Sequence, residues 1–452
     1  MKKFLKIAVI VLLVAAAAVA VYRFAFRKSI PDAPASEQVM AILQQNDCFV
    51  CHSQEPELPF YAKLPVIGPQ IKEHCLHAVA FTDLAAGLAN MDSVSEVTLS
   101  MLDHSVTYGT MPMTSYKMIH WGTGFNKKEK SILAAWIRER RGSDEPVCAL
   151  PDRVDYDSAR ADLGERLFND KRISLDGSLN CASCHILEEG GADAGERVSD
   201  GINGLVGGVN APTVYNSALY VRQFWNGRAA DLREQAEGPA TNPVEMGDQT
   251  WDQIVERLKA DKALVKEFEA LYPGQGLTQW TVTSAIAEFE KKLVTPNCRF
   301  DRYLKGDKAA INEQELKGYE AFKENACATC HTGAAMGGQS FERLDIFGNY
   351  FADRDPKIEY NSDDDGLKGY TKNDADLHKF KVPTLRNLEL TAPYFHDGTF
   401  ETIEDAVRAM GKYELGKTLS DDQVKAISAF LRTLTGVSPY LHPGQKAAEE
   451  KK

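Results

Sequence analysis

Positive charge is in deficit in this chain: 52 Lys and Arg stand against 64 Asp and Glu, a net charge of −12. A nucleic-acid partner needs a basic face, so no nucleic acid is expected to bind here. Cysteine is sparse and largely committed. Of 9 cysteines, six sit in three CxxCH motifs, Cys48 to His52, Cys181 to His185 and Cys327 to His331. A zinc ribbon or a thioredoxin-like site has no use for a His directly after the second Cys. CxxCH is the attachment signal of c-type haem, in which two thioethers hold the porphyrin and the adjacent His becomes the proximal iron ligand. Three covalently bound haem c groups are therefore expected. They would sit on Cys48 and Cys51 with His52, on Cys181 and Cys184 with His185, and on Cys327 and Cys330 with His331. Cys75, Cys148 and Cys298 remain; they allow one disulfide and a free thiol, or equally a set of inert buried thiols.

A second absence is local. The loop Val198 to Val209 contains no His, Met, Cys, Tyr or Lys. A haem that only carries electrons takes a strong sixth ligand, commonly Met, and this loop after CASCH offers none. Beyond it come an indole (Trp225), an amide (Gln235) and a carboxylate (Glu245). Taken singly, Trp225 reads as a core aromatic and Glu245 as a surface carboxylate or a cap. Beside an open iron, the group points to chemistry on a small oxygen ligand.

The 452 residues are enough for about three domains. Phe4 to Phe26 form an apolar run with Lys2, Lys3 and Lys6 at its start and Arg23, Arg27 and Lys28 at its end. Ala18-Val19-Ala20 would serve as a signal-peptide cleavage site, but the run is long enough to span a bilayer, and residues 1–28 are read as a transmembrane anchor. Residues 29–36 form a Pro-containing linker. A first haem domain is expected over 37–142, opened by a helix capped by Ser36 with Val39, Met40 and Leu43 on one face. It would close with an amphipathic helix, Asn126 to Arg141, whose inner face is Ile132, Leu133, Trp136 and Ile137. Between them, in YGTMPMTSYKM, Met111 is the expected sixth ligand of the first haem, with Met113 in reserve; His74, His77, His104 and His120 compete.

After a connector over 143–157, a second haem domain is expected over 158–305, with helices at Trp251 to Leu271 and Thr278 to Leu293 and a structured loop through QFWNGR and NPVEM. The third, 306–442, opens with a helix near Asn312 and closes with Ser420 to Leu434. It carries an acidic insertion, Asp345 to Asp376, read as a solvated loop open to calcium on composition alone. The expected fold is all-α: three cytochrome c-like haem domains in tandem after an N-terminal membrane helix.

The motifs NAPT at Asn210, FWNGR at Phe224, EQA with NPVEM, VPTLRN at Val382 and TAPYFHDG at Thr391 are specific. From about Ala159 to Gly436 the chain resembles the bacterial di-haem cytochrome c peroxidases. With the N-terminal haem domain and apolar run, the whole is similar to the tri-haem quinol peroxidases of the Gram-negative inner membrane. The resemblance implies that the haem at His185 is peroxidatic, with Gln235 and Glu245 in its distal pocket and Trp225 between two haems. It implies an electron-donating haem ligated by His331 and Met410, with His396 close by, and a calcium ion held by Asn210, Thr391 and Pro393. One departure matters. Relatives that cap the resting iron do so with a His at the position of Ile202, which cannot bind iron.

What the resemblance implies is reduction of hydrogen peroxide to water in the periplasm, with Glu245 moving the proton and electrons drawn from membrane quinol or a small soluble cytochrome c. Two other functions compete. A tri-haem carrier without peroxidase activity needs a strong sixth ligand on every iron, which Ile202 denies. A di-haem oxygenase relative would carry Tyr where this chain has Met410.

Overall fold

Local capping chemistry sets most helix starts. The computed structural model describes residues 29–442, apart from 66, 114, 115, 118, 119, 121, 122, 143, 144 and 194, together with scattered positions between 10 and 21. The expected anchor lies almost wholly outside the described residues, and among those no helix is long and apolar enough to cross a membrane. The chain divides into two compact units, Met1–Asp144 and Glu145–Lys452.

In the first unit, α1 (Ala35–Gln45) buries Val39, Ile42 and Leu43. It starts after Pro34, ahead of the cap expected at Ser36, whose hydroxyl instead accepts from Arg140 Nη2 at 3.2 Å. Ser95 caps α2 (Glu96–Tyr108). Asn126 and Glu129 form a reciprocal capping box that starts α3 (Lys127–Arg141). The apolar faces of α1 and α2 meet Leu133, Trp136 and Ile137 of α3 in one core.

The second unit holds two cores built on one plan. In the first, α4 (Ser158–Phe168), α5 (Leu232–Thr241), α6 (Trp251–Lys259), α7 (Lys262–Leu271) and α8 (Gln279–Lys292) enclose Leu163, Leu167, Ile254, Phe268, Val282 and Phe289. In the second, α9 (Glu313–Glu324), α10 (Ile403–Glu414) and α11 (Asp421–Leu431) enclose Tyr319, Phe322, Val407, Ile427 and Phe430. Each core has a crossing at which a glycine meets the facing helix backbone. A Cβ on Gly164 would lie 1.9 Å from the Ala285 carbonyl oxygen, and one on Gly318 would lie 2.0 Å from that of Ala426. No side chain fits either crossing.

Several expectations change. The single helix expected from Trp251 to Leu271 is two, because Asp261 accepts from the amides of Ala263 and Leu264 at 3.0 and 3.1 Å and restarts the chain as an N-cap. The loop between Arg228 and Met246 contains α5, which Asp231 caps and which carries Pro239 in its last turn. The last helix ends at Leu431, and Arg432–Leu434 tighten into a 3₁₀ turn. The described part of the connector is built into the second unit: Val147 belongs to its second core, and the Cys148 carbonyl accepts from the buried Arg386 at 2.9 Å. Cys75, Cys148 and Cys298 are all buried.

The acidic insertion is the largest correction. Arg354 is buried and pairs with Asp364 at 2.7 Å and Asp397 at 2.9 Å, both buried, so part of the stretch packs inward around a cation while Asp353, Asp355, Glu359 and Asp374 stay exposed. The unit is also not all helix and loop, because a strand flanks the stretch at each end. β1 (Phe341–Arg343) and β2 (Lys379–Lys381) pair antiparallel across it, with Phe341 opposite Lys381, which adds a two-stranded sheet to a mainly helical fold.

Candidate active site

Each CxxCH motif places its His in the same way. Nδ1 of His52 lies 3.0 Å from the Thr82 carbonyl oxygen, that of His185 3.2 Å from Gly191, and that of His331 3.2 Å from Met336. A carbonyl only accepts, so Nδ1 carries the proton and Nε2 is the nitrogen left for iron. Burial lowers the His185 imidazole, and pushes that of His331 down to about 4, so both favour the neutral form that iron ligation needs. These residues fit c-type haem.

At His185 the fit extends to a cavity of about 190 Å³. Cys181, Cys184 and His185 line it, as do Gln235 of α5, Glu245 and Trp225. The sequence-predicted trio is thus brought to one cavity. Asn242 Nδ2 donates to Glu245 Oε1 at 2.7 Å, and the Glu245 carbonyl accepts from the Ile202 amide at 2.8 Å. Ile202 itself is buried and lies outside the cavity lining. Burial raises the Glu245 carboxyl above its ordinary value; Arg228 and the Asn242 bond oppose this, and Asp363 adds to it.

Arg228 and Asp363 were not singled out from the sequence. Arg228 closes the QFWNGR motif, a visible signal, and its guanidinium stacks 3.4 Å from the Phe224 ring centroid. Asp363 belongs to the acidic insertion, and only the fold carries it to the cavity. There its carboxylate sits where a Cβ on Gly208 would be, 2.1 Å from Oδ2, so Gly208 makes room for it.

A pH profile follows from this geometry. A carboxylate that acts as a base must be ionised, so if Glu245 takes the proton, kcat/KM for peroxide should fall with acidification through a pKa above the ordinary 4.5. Asp363→Asn should move this acidic limb to lower pH, and Arg228→Met to higher pH. Limbs that coincide in all three proteins would detach Glu245 from the proton transfer.

Trp225 stands between the cavity and a third apolar cluster of this unit. Its Nε1 donates to the Asn210 carbonyl at 2.9 Å, and its own carbonyl accepts from the Lys381 amide at 2.8 Å. It lines the cavity and also packs against the cluster of Leu344, Tyr350, Phe380 and Met410. His396 is buried, stacked on Phe380 at 4.1 Å, and bonded through Nε2 to Asp364 at 2.8 Å. Asn210 Nδ2 donates to the carbonyls of Glu196 and Arg197, at 3.3 and 3.2 Å. The Thr391–Pro393 turn reaches the same segment, since the Ala392 carbonyl accepts from the Gly195 amide at 2.9 Å.

In the first unit Met111 and Met113 are 38% and 40% exposed. His104 is buried, and His120 stacks on Tyr116 at 3.8 Å. The side chains of His74 and His77 lie outside the described residues.

Haem-attachment cysteines, a neutral histidine and a carboxylate in one cavity define a c-type haem peroxidase, an oxidoreductase acting on hydrogen peroxide. Comparison with known proteins agrees. Residues 158–309 match the family described as di-haem cytochrome c peroxidase, residues 10–139 a haem-binding domain, and residues 316–435 cytochrome c. Cytochrome c peroxidase Ccp of Escherichia coli is 39% identical over 91% of this chain and 90% of its own length. Cytochrome c551 peroxidase of Nitrosomonas europaea is 43% identical over 66% of this chain and 86% of its own. Among solved structures, a MauG-like protein associated with microbial copper homeostasis has a TM-score of 0.56 at 29% identity, covering 64% of this chain and 95% of that one. The chain belongs to the di-haem cytochrome c peroxidase family.

Proposed function

We propose that this chain is a tri-haem peroxidase of the periplasm, held at the inner membrane by residues 1–28, that reduces hydrogen peroxide to two waters with two electrons from membrane quinol. The observation that carries the reading is the shared cavity of His185, Gln235, Glu245 and Trp225. When bound, the haem at Cys181 and Cys184 supplies the iron that takes a peroxide oxygen and passes in the electrons. The chain's own residues do the rest. Glu245 takes the proton from the near oxygen of peroxide and returns it to the far oxygen, which leaves as water; Asn242 holds the carboxylate in place, and Gln235 hydrogen-bonds the substrate. The two further protons come from solvent.

His331 and Met410 would hold the electron-donating haem and His52 the haem that takes electrons from the external donor, with Trp225 beside the cavity as the residue between two haems. The third haem is supported by the His52–Thr82 pair, which repeats the geometry of the other two, and by the match of residues 10–139 to a haem-binding domain. The Escherichia coli relative spans 91% of this chain against 66% for the Nitrosomonas relative, so it extends over more of the N-terminal region. Met111 is the proposed sixth ligand of the first haem. Calcium would be held by Asn210, Thr391 and Pro393, whose two loops meet at residues 195–197.

A second reading, a small soluble cytochrome c as donor, is favoured by the names of the relatives, which are cytochrome c and c551 peroxidases. Steady-state peroxide consumption with a quinol analogue against reduced soluble cytochrome c separates the two. Quinol should be the better donor to the full-length protein, and removing residues 1–30 should abolish quinol-dependent turnover in membranes while sparing artificial reductants. A far better rate with soluble cytochrome c would reject the quinol donor.

A further inference from the structure

Strand β2 carries a buried lysine that nothing above uses. Along Lys379, Phe380 and Lys381 successive side chains point to opposite faces, and the strand separates two environments. Phe380 stacks on His396 and packs in the cluster that holds Met410, whereas Lys381 lines the cavity of Cys181, Cys184 and His185. The Lys381 side chain is 6% exposed, with its ammonium 4.3 Å from the Tyr220 ring centroid. Among the described residues no ion pair or hydrogen bond joins this ammonium to an acid.

A buried ammonium without an anion is costly, and burial alone pushes this one down to about 7. The acids of the same cavity are placed elsewhere. Glu245 is bonded to Asn242, and the Arg228 charge is felt by Glu245 and Asp363. Glu290 of α8 has a buried, unpartnered Oε2, and its carboxyl responds to burial and to no neighbouring cation. Among the described residues, none of the acids that line this cavity, Asp200, Glu245, Glu290 and Asp363, forms an ion pair or hydrogen bond with the Lys381 ammonium. The c-type haem that Cys181 and Cys184 bind carries two anions of its own, its propionate carboxylates.

We infer that the Lys381 ammonium is the counter-ion of a propionate of the haem attached at Cys181 and Cys184, so that β2 binds this haem with a side chain while its backbone holds Trp225. The lysine is then a cofactor-binding residue on the side of the cavity that faces the donor core. A cation there cancels a propionate charge that would otherwise favour ferric over ferrous iron.

The test compares Lys381→Gln and Lys381→Arg with the parent holoprotein by haem quantification and by potentiometric titration of the haem at His185. Haem content should be equal in all three. The midpoint potential should fall in Lys381→Gln and stay near the parent in Lys381→Arg; a potential in Lys381→Gln equal to the parent's would overturn the assignment. Should Lys381→Gln fail to accumulate, the resonance Raman propionate-bending band decides between the parent and Lys381→Arg. It should shift in deuterated solvent and differ between the two proteins, and a band indifferent to both changes would remove the lysine from the propionate.

Discussion

Replacing Glu245 with Gln should leave every haem attached and lower kcat/KM for hydrogen peroxide by roughly 10²- to 10⁴-fold. The two side chains are nearly the same size, and a glutamine carbonyl can keep the bond that Asn242 Nδ2 makes to Oε1 at 2.7 Å. What disappears is the ability to accept a proton and return it. The carboxyl is well placed for that exchange, because burial raises it above the ordinary 4.5 while Arg228 keeps it ionisable. The measurement is peroxide consumption at a pH well above the acidic limb, with the artificial reductant in excess. A variant within a factor of a few of the parent would reduce Glu245 to a structural role beside the Ile202 amide.

Arg354→Met should destabilise the second unit by about 3–5 kcal/mol, the usual cost of stranding a buried charge partner. The guanidinium is 1% exposed and holds two carboxylates, Asp364 and Asp397, that are equally enclosed. Burial alone would raise the Asp364 carboxyl, yet the bonds from His396 and Arg354 hold it far below its ordinary range. Its folded pKa is thus depressed, so its contribution to stability is present above the ordinary 3.8 and is lost as pH falls further. With Arg354 gone, Asp364 keeps the His396 ring as a hydrogen-bond partner, and Asp397 keeps only neutral donors, among them the Tyr350 hydroxyl at 2.8 Å. The urea midpoint of the variant should drop well below that of the parent at neutral pH, with the gap narrowing in acid. Equal midpoints would mean that the cluster is hydrated rather than enclosed.

Haem attachment was legible in the sequence because CxxCH is local: spacing alone fixes two thioethers and a proximal ligand. The terminal helices of each haem core were legible as well, since Leu133, Trp136, Val424 and Phe430 repeat at helical spacing and Asn126 and Ser420 are ordinary caps. The trio of Trp225, Gln235 and Glu245 came from resemblance, and the fold brings it to one cavity. The acidic insertion could not be read. Its composition is that of a solvated loop, and only the arrival of Asp397 from a distant segment turns Arg354 and Asp364 inward. Helix α5 was hidden by Gly238 and Pro239 near its end, and the break at Asp261 by an apolar pattern that continues across it. Lys381 carries no motif of its own; its meaning depends on which face of a three-residue strand meets the cavity.

The central claim is that peroxide meets an iron with no protein ligand opposite His185, and the spin state of the resting protein tests it most directly. Residues 198–209 offer no strong iron ligand, and Ile202 is buried away from the cavity. Electron paramagnetic resonance of the fully oxidised protein, as isolated, should therefore show one high-spin haem beside low-spin ones, and cyanide should bind without prior reduction. Low-spin signals alone, with cyanide binding only after partial reduction, would show that another part of the chain closes the iron.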